Sequence, residues 1–311
     1  RDYNQFIYVA ERICGICAMG HSLGYAETVE SLMGVEVPKR AEYLRVIWHE
    51  LSRIHSHLLW LGLATDAFGF ESMFMHCWRL RERVLDLFEK TTGGRVILSV
   101  VKVGGVVRDI DASQMAEIVS VLDGIKGEYT QIMNTLLTDT SVKNRTVGVG
   151  HITTEDAAAL SMVGPFARAS NLPYDVRSFG RGAYGDLADF APITATEGDC
   201  YARVKVRCLE VLQSIEIIKE LGAKIPAGDI EVAVKGAPAD GAQASNVLEQ
   251  PRGECYYYAR GNGSKNLERM RMRTPTSQNL AGMTVALKGC DLADVNMIIL
   301  TIDPCISCTE R

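Results

Sequence analysis

The chain has 311 residues, of which 47% are apolar and 23% are charged, and its formal net charge is −5. The apolar share excludes an intrinsically disordered chain, and the acidic balance provides no basic face for a nucleic acid, so we expect no nucleic-acid partner. No apolar run reaches the ~20 residues of a membrane-spanning helix. We expect residues 1–311 to form a single domain. Because the sequence opens with Arg1 rather than Met, we also expect an N-terminal segment to be missing before it.

Apolar residues recur at helical spacing through much of the chain. The pattern predicts helices over residues ~20–33, ~39–66, 71–91, ~112–137 and ~197–222. Residues ~140–196 are rich in Gly and Pro and are expected to be irregular. Segments 255–260 and 267–273 flank Gly261-Asn262-Gly263, which predicts a β-hairpin. Since strands and helices do not alternate, the sequence predicts a mainly α protein with small β elements (α+β) around a helical-bundle core.

Two motif-like patterns do not fit the sites that they suggest. His49 and His55 are six positions apart, about 240° around a helix, whereas a zinc peptidase needs two histidines four apart on one face. The glycines of segment 180–185 have the G-x-G-x-x-G spacing, but no strand precedes them and no helix follows. We therefore expect an ordinary polar helix and a loop at these places.

The nine cysteines include two CxxC pairs, Cys14/Cys17 near the start and Cys305/Cys308 near the end. Thiolates are soft ligands, so four of them could bind a structural zinc, a catalytic or redox metal, or an Fe–S cluster. Zinc ribbons usually hold their pairs ~15–20 residues apart, whereas here nearly the whole chain separates them. This spacing favours a catalytic or redox metal and leaves zinc and an Fe–S cluster as alternatives.

The residues around both pairs resemble the large subunit of nickel–iron hydrogenases. The shared segments are Glu11–Cys17 with His21, Asp303-Pro304 before the second pair, Glu249-Gln250-Pro251-Arg252-Gly253 and Thr274-Pro275-Thr276. The closest class is the membrane-bound, energy-converting one (group 4, Ech type), which is related to the quinone-site subunit of respiratory complex I; the segments that resemble both are 57–62, 74–89, 173–176 and 198–203. Complex I has lost the cysteine pairs, so their presence indicates a hydrogenase.

The resemblance implies a ligand set. Cys14 and Cys305 would be terminal nickel ligands, while Cys17 and Cys308 would bridge nickel to an iron that holds CO and two cyanides. Cys305 would be the first proton acceptor. The chain ends three residues after Cys308, as expected of a mature, metal-loaded form, and Arg311 is too poor a ligand for a further metal site at the terminus.

The resemblance also implies residues around the cofactor. Arg252 would lie over the open side of the metals, as an electrostatic group or an unusual base, with its guanidinium fixed by Asp303. Pro275 and Thr276 would bind the cofactor, Thr276 and nearby amides by donating to a cyanide nitrogen.

Three further positions follow from the comparison with the family. His21 would hydrogen-bond a bridging sulfur. Ser56 stands where many family members carry Asp. The family's proton-relay Glu would lie before Arg1, and Glu11 is expected to be structural rather than its substitute.

The function implied is reversible H2 formation and oxidation, 2 H+ + 2 e− = H2, with ferredoxin as the electron partner. A small subunit would carry a 4Fe–4S cluster, since this chain has no spare cysteine cluster, and membrane subunits would translocate ions. The chain would then be a peripheral subunit on the cytoplasmic face of the membrane. The alternatives are a sulfur- or quinone-reducing relative and a zinc-stapled scaffold subunit.

Overall fold

Helices make up most of the fold in a computed structural model, which describes residues 2–310. They are α1 (Tyr3–Glu11), α2 (Ala18–Met33), α3 (Lys39–Ala67), α4 (Glu71–Thr92), α5 (Ala112–Thr138), α6 (Thr140–Thr146), α7 (Thr154–Ala159), α8 (Gly164–Arg168), α9 (Cys200–Ala223), α10 (Pro275–Ala286), α11 (Val295–Ile302) and α12 (Ile306–Thr309). The five predicted helices are α2 to α5 and α9, so the mainly α class is confirmed. The predicted irregular segment carries only the short α6, α7 and α8 and two 3-10 turns.

The β structure is a three-stranded antiparallel sheet with the order β3 (Gln243–Gln250), β4 (Gly253–Arg260) and β5 (Arg269–Arg273). The predicted hairpin is the β4–β5 pair. The two strands are joined by the longer loop of residues 261–268 rather than by a tight turn at Gly261-Asn262-Gly263. Gly261 instead extends the pairing toward β3, donating to the Ala242 carbonyl at 2.9 Å. Strand β3 was not predicted. A second pair, β1 (Val101–Lys102) and β2 (Gly105–Val106), is only two residues long.

Helix α3 forms the centre of the fold and packs against α4 and α9. Its apolar residues Trp48, Leu51, Ile54 and Leu58 are completely buried. Pro38 precedes its first turn, where the missing N–H leaves no hydrogen bond unmade. Among residues 2–310, no helix is both long enough and apolar enough to span a bilayer.

The polar residues of α3 are buried as well, and they find charged partners inside the protein. Glu50 accepts from Arg53 at 3.2 Å, and His57 lies 2.9 Å from Glu210. The network continues through Arg168, Asp175, Arg177 and Glu249. Burial alone would raise the pKa of Glu50, but Arg53 and Arg177 outweigh it and keep that pKa low. The charges of this network therefore fix α3, α9 and β3 relative to one another.

His49 borders this network as a neutral group. Its Nε2 lies 2.8 Å from the Glu249 carbonyl, and its side chain has no exposed surface. Burial, followed by the charge of Arg53, lowers its pKa to about 4.

Replacing Gly24 by Ala tests the packing of α2 on the sheet. A Cβ at Gly24 would overlap the buried ring of Tyr257 on β4. We expect Gly24→Ala to lower the free energy of unfolding by about 1–3 kcal/mol, measured by urea denaturation. The control is Gly127→Ala on α5, where a Cβ has open space. This substitution should raise the free energy of unfolding by up to ~1 kcal/mol. Equal midpoints for the two variants would contradict the α2–β4 contact.

The neutral His49 makes stability depend on pH. Its pKa is about 4 in the folded chain and near 6.5 in the unfolded chain, so between these values the unfolded state binds more protons and stability falls as pH falls. From pH 8 to pH 5, protonation of His49 in the unfolded chain should lower the free energy of unfolding by about 2 kcal/mol. His49→Gln should flatten the curve by that amount, as measured by urea unfolding at several pH values. The exposed His151→Gln is the control, and the same flattening in it would exclude His49 as the cause.

Candidate metal centre

The first cysteine pair lies on the segment that connects α1 to α2. Its turn directs the amides of Ile16 and Cys17 at the Cys14 sulfur, at 3.3 and 3.5 Å. Amide donors stabilise a thiolate, which is the form that binds metals. Glu11, at the end of α1, fixes this segment by accepting from the amides of Leu98 and Ser99. Its carboxylate is thus occupied structurally, as expected.

The second pair follows α11. Asp303 has the left-handed backbone conformation (φ 62°), which ends the helix and turns the chain toward the start of α12. The Cys305 amide donates to Thr276 Oγ1 at 3.2 Å, and Thr274 Oγ1 donates to the Cys308 carbonyl at 2.7 Å. Both threonines belong to the N-terminus of α10, where Pro275 is the first helical residue. The positive end of the α10 dipole therefore faces the cysteines.

The two pairs meet in one buried cluster. The Sγ atoms of Cys14 and Cys305 are 3.5 Å apart, and those of Cys17 and Cys308 are 3.6 Å apart. Cys305 is the most exposed of the four, at 9%. All four are free thiols, since a disulfide would bring two sulfurs to about 2.05 Å. Four buried thiols directed at one another, with amide donors around them, fit a soft metal or metal pair.

The other cysteines are dispersed. Within residues 2–310, the only group of three or more potential metal-ligating side chains is Cys14, Cys17 and Cys308, whose sulfurs lie within 4.8 Å of one another. The remaining cysteines (Cys77, Cys200, Cys208, Cys255 and Cys290) lie elsewhere, as the sequence indicates. The described part of the chain therefore contains one thiol cluster.

Arg252 reaches this cluster from the two-residue turn between β3 and β4. Its Nε donates to the Asp303 carbonyl at 2.9 Å and one Nη to Asp303 Oδ1 at 2.8 Å, while the other Nη donates to Ser56 Oγ at 3.3 Å. Burial alone would lower the pKa of Arg252, but Asp303 and the cysteine sulfurs outweigh it and raise that pKa. The guanidinium therefore remains charged beside the thiols.

Two glycines allow this turn to pass close to α8. A Cβ at Gly164 would overlap the Arg252 carbonyl, and one at Gly253 would overlap the backbone of residues 163–164. Both glycines have positive φ, at 71° and 128°. Only glycine combines a positive φ with the absence of a Cβ. These two positions therefore determine how closely the backbone of Arg252 approaches α8.

His21 contacts the cluster from the first turn of α2. Its Nε2 is 3.6 Å from Cys308 Sγ, one of the sulfurs that the resemblance makes bridging. Its Nδ1 lies 3.0 Å from the Tyr257 hydroxyl and 3.4 Å from Gln250 Nε2. Sequence reasoning missed Tyr257 and Gln250; the only signal was that Gln250 precedes the Pro-Arg-Gly segment. These partners fix the orientation of the His21 ring.

Neither excluded motif forms the site that it suggests. His49 faces the charged network, and His55 accepts a hydrogen bond from Arg81 at 2.8 Å. The glycine-rich segment forms a 3-10 turn at Gly182–Asp186, with no strand before it. The expectations about Arg1 and Arg311 fall outside the described residues.

Comparison with known proteins relates the whole chain to one group of respiratory proteins. The family model described as "Respiratory-chain NADH dehydrogenase, 49 Kd subunit" matches residues 67–239 and 231–311. The model described as "Nickel-dependent hydrogenase" matches residues 1–62, which include the first cysteine pair.

Individual relatives agree with these matches. The alpha subunit of the membrane-bound hydrogenase of Pyrococcus furiosus is 38% identical, over 100% of this chain and 76% of its own length. One subunit of the F(420)H(2) dehydrogenase of Methanosarcina mazei is 36% identical, over 100% of this chain and 85% of its own. A solved structure of the membrane-bound sulfane sulfur reductase, an archaeal respiratory membrane complex, matches with a TM-score of 0.95 and 28% identity, over 100% of this chain and 86% of that one. The chain therefore belongs to the family that comprises the 49-kDa subunit of respiratory-chain NADH dehydrogenase and the large subunits of membrane-bound nickel-dependent hydrogenases.

Proposed function

We propose that this chain is the catalytic subunit of an energy-converting nickel–iron hydrogenase that interconverts H2 with two protons and two electrons. The observation that carries the proposal is the buried cluster of four thiols, two from each end of the chain. Relatives in this family include dehydrogenases and a sulfur reductase, so fold alone does not select the reaction. The four intact cysteines favour hydrogen chemistry, because they provide the complete ligand set of a nickel–iron site.

The arrangement of the thiols suits a nickel–iron centre with one CO and two cyanides on iron. Cys14 and Cys305, the proposed terminal nickel ligands, are adjacent, and so are Cys17 and Cys308, the proposed bridging pair. When bound, the metals would supply the redox chemistry for heterolytic cleavage of H2. The protein would provide the four thiolates that hold them, a nearby base and a buried site.

The surrounding residues have distinct roles in this proposal. Cys305 takes the proton on its sulfur, since it is the most exposed thiol and lies 3.4 Å from the Ser307 hydroxyl. Arg252 places a fixed positive charge beside the cluster, and Asp303 holds it with two hydrogen bonds. His21 polarises the Cys308 sulfur.

Pro275 and Thr276 form the side of the site proposed to bind cyanide. They begin α10, where Pro275 carries no N–H, Thr274 Oγ1 accepts from the Ser277 amide, and Thr276 Oγ1 bonds the second cysteine pair. Thr276 Oγ1 accepts from the Cys305 amide, which leaves its own proton available for a cyanide nitrogen. This part of the protein would hold the iron ligands without contributing a metal ligand itself.

Electron transfer requires a partner, because the described residues contain no second cysteine cluster. We propose a small subunit with a 4Fe–4S cluster near the thiols, ferredoxin as the electron carrier, and membrane subunits that translocate ions. The names of the relatives, a membrane-bound hydrogenase and a respiratory membrane complex, support such an assembly. In it, the chain would occupy the peripheral arm on the cytoplasmic face.

A second candidate is a sulfur-reducing subunit with the same fold. It is considered because a solved sulfane sulfur reductase complex contains a chain of the same fold, with a TM-score of 0.95. It requires no diatomic ligands on iron, so infrared absorption in the CO and CN stretching region separates the two candidates.

The first test is infrared absorption of the purified complex, together with metal analysis. We expect one CO and two CN stretching bands and about one nickel per chain. Cys305→Ser should abolish both the bands and the nickel, because a terminal ligand is lost. Cys290→Ser, in the same C-terminal region but outside the cluster, should keep both. Stoichiometric zinc without such bands would falsify the hydrogenase proposal, and nickel retained in Cys305→Ser would exclude that ligand.

Arg252→Lys tests the charge beside the cluster. Lysine keeps the charge but cannot donate to the Asp303 carbonyl, Asp303 Oδ1 and Ser56 from one rigid plane. We expect H2 turnover to fall by about 10²-fold with nickel content unchanged. The exposed Arg269→Lys on β5 serves as the control and should turn over at the wild-type rate. Wild-type turnover in Arg252→Lys would remove this residue from the mechanism.

A further inference from the structure

The C-terminal end of α11 is held by side chains from elsewhere in the protein. The last carbonyls of a helix have no intrahelical donor and must find other partners when they are buried. Here the Leu300 carbonyl accepts from Trp60 Nε1 at 2.7 Å. The Thr301 and Ile302 carbonyls accept from the two Nη atoms of Arg207, at 2.6 and 3.0 Å. Three consecutive carbonyls are thus fixed immediately before Asp303.

Arg207 and Trp60 form a single unit. The guanidinium carbon of Arg207 lies 4.7 Å from the centre of the Trp60 ring, and both side chains are at most 1% exposed. Among residues 2–310, no carboxylate forms an ion pair with Arg207. Burial lowers the pKa of Arg207 to about 10, which still leaves it charged at neutral pH. A buried cation is therefore directed at the negative end of a helix, where its charge is favourable.

Neither residue touches a cysteine sulfur, yet the chain that they hold continues directly into the site. The Asp303 carbonyl and carboxylate bind Arg252, and Cys305 follows two residues later. A displaced end of α11 would move both groups. By contrast, an arginine that only stabilised the core would leave their positions unchanged.

We propose that Arg207, stacked on Trp60, is a positioning residue of the metal centre, which sets the location of Asp303 and Cys305 by holding the carbonyls of α11. Its importance for catalysis rests on the proposed function. The effect of Arg207 on the position of Cys305 does not rest on the proposed function, because that position is a property of the protein without metal.

Disulfide trapping measures this placement directly. In the metal-free full-length chain with Cys17→Ser and Cys308→Ser, diamide would oxidise the Cys14 and Cys305 thiols to a disulfide and take up their two protons and two electrons. The wild-type sulfur distance of 3.5 Å should make this reaction fast. The Cys14–Cys305 peptide is quantified by mass spectrometry, and circular dichroism checks that each variant is folded.

Arg203 provides a matched control on the same helix. It is also buried and stacked, 4.6 Å from the Phe166 ring, but it donates to the carbonyls of Gly150 and Gly198. Within the described part of the chain, its only hydrogen bond to α11 is to the Thr301 side chain, at 3.5 Å. Arg203→Lys therefore disturbs the core to a similar degree without releasing the α11 carbonyls.

We expect Arg207→Lys to slow trapping by about tenfold or more, because lysine lacks the rigid two-nitrogen fork that spans the Thr301 and Ile302 carbonyls, and Cys305 then spends less time near Cys14. Arg203→Lys should trap at the rate of the parent chain. Equal rates in the two folded variants would overturn the proposal. If Arg207→Lys does not fold, Trp60→Phe decides by the same comparison, since it keeps an aromatic ring at this position and removes the N–H that bonds the Leu300 carbonyl.

A second measurement on the assembled complex connects placement to chemistry. Arg207→Lys should shift the CO and CN infrared bands relative to the wild type, and Arg203→Lys should not. If the proposed function is wrong, the wild-type complex will lack the CO and CN bands, and the trapping result will still stand. Unshifted bands in Arg207→Lys would contradict the positioning role even if the hydrogenase assignment holds.

Discussion

The structure depends on one constraint: thiols 291 positions apart in the chain must lie about 3.5 Å apart in a dry interior. Chain ends normally fray, and here both are anchored. The Tyr3 amide donates to the Lys265 carbonyl, and the Tyr25 hydroxyl donates to the Tyr3 carbonyl at 2.6 Å. The second pair is tied to α10 through Thr276. The Cys14–Cys305 and Cys17–Cys308 contacts have a sequence separation of 291, and contacts of such long range form slowly during folding because they close a large loop.

A second constraint is electrostatic. Asp303 and the carboxylates facing α3 put many negative charges inside the protein, and buried arginines balance them. Arg252 and Arg168 do so by direct ion pairs, whereas Arg207 is used differently, with its charge directed at backbone carbonyls. Because guanidinium stays charged even when it is buried, these groups keep the interior polar but fixed. A rigid, charged environment of this kind suits a reaction that separates a proton from electrons.

The sequence predicted the parts of this protein that local pattern determines. The helical spacing around Trp48 and the two CxxC motifs each depend on a few neighbouring residues, and these predictions correspond to α3 and the thiol cluster. Strand β3 was missed because its residues, such as Asn246 and Glu249, are polar and are buried by long-range partners. The pairing of Trp60 with Arg207 has no local signal at all, since it joins two helices far apart in the chain. The chemistry of the ligands could thus be predicted, while the groups that hold them in place could not.

The contact between Gly164 and Gly253 has a consequence for how such a site can change over evolutionary time. Neither glycine has a functional group, yet a single methyl at either one would push the Pro-Arg-Gly turn away from the thiols. The position of Arg252 beside the thiols can therefore change without any change in a cysteine, by one small substitution at either glycine. A comparison that looks only at the cysteines would record such a protein as intact. Judging whether a relative keeps this arrangement requires examining the two glycines beside the arginine as well as the four cysteines.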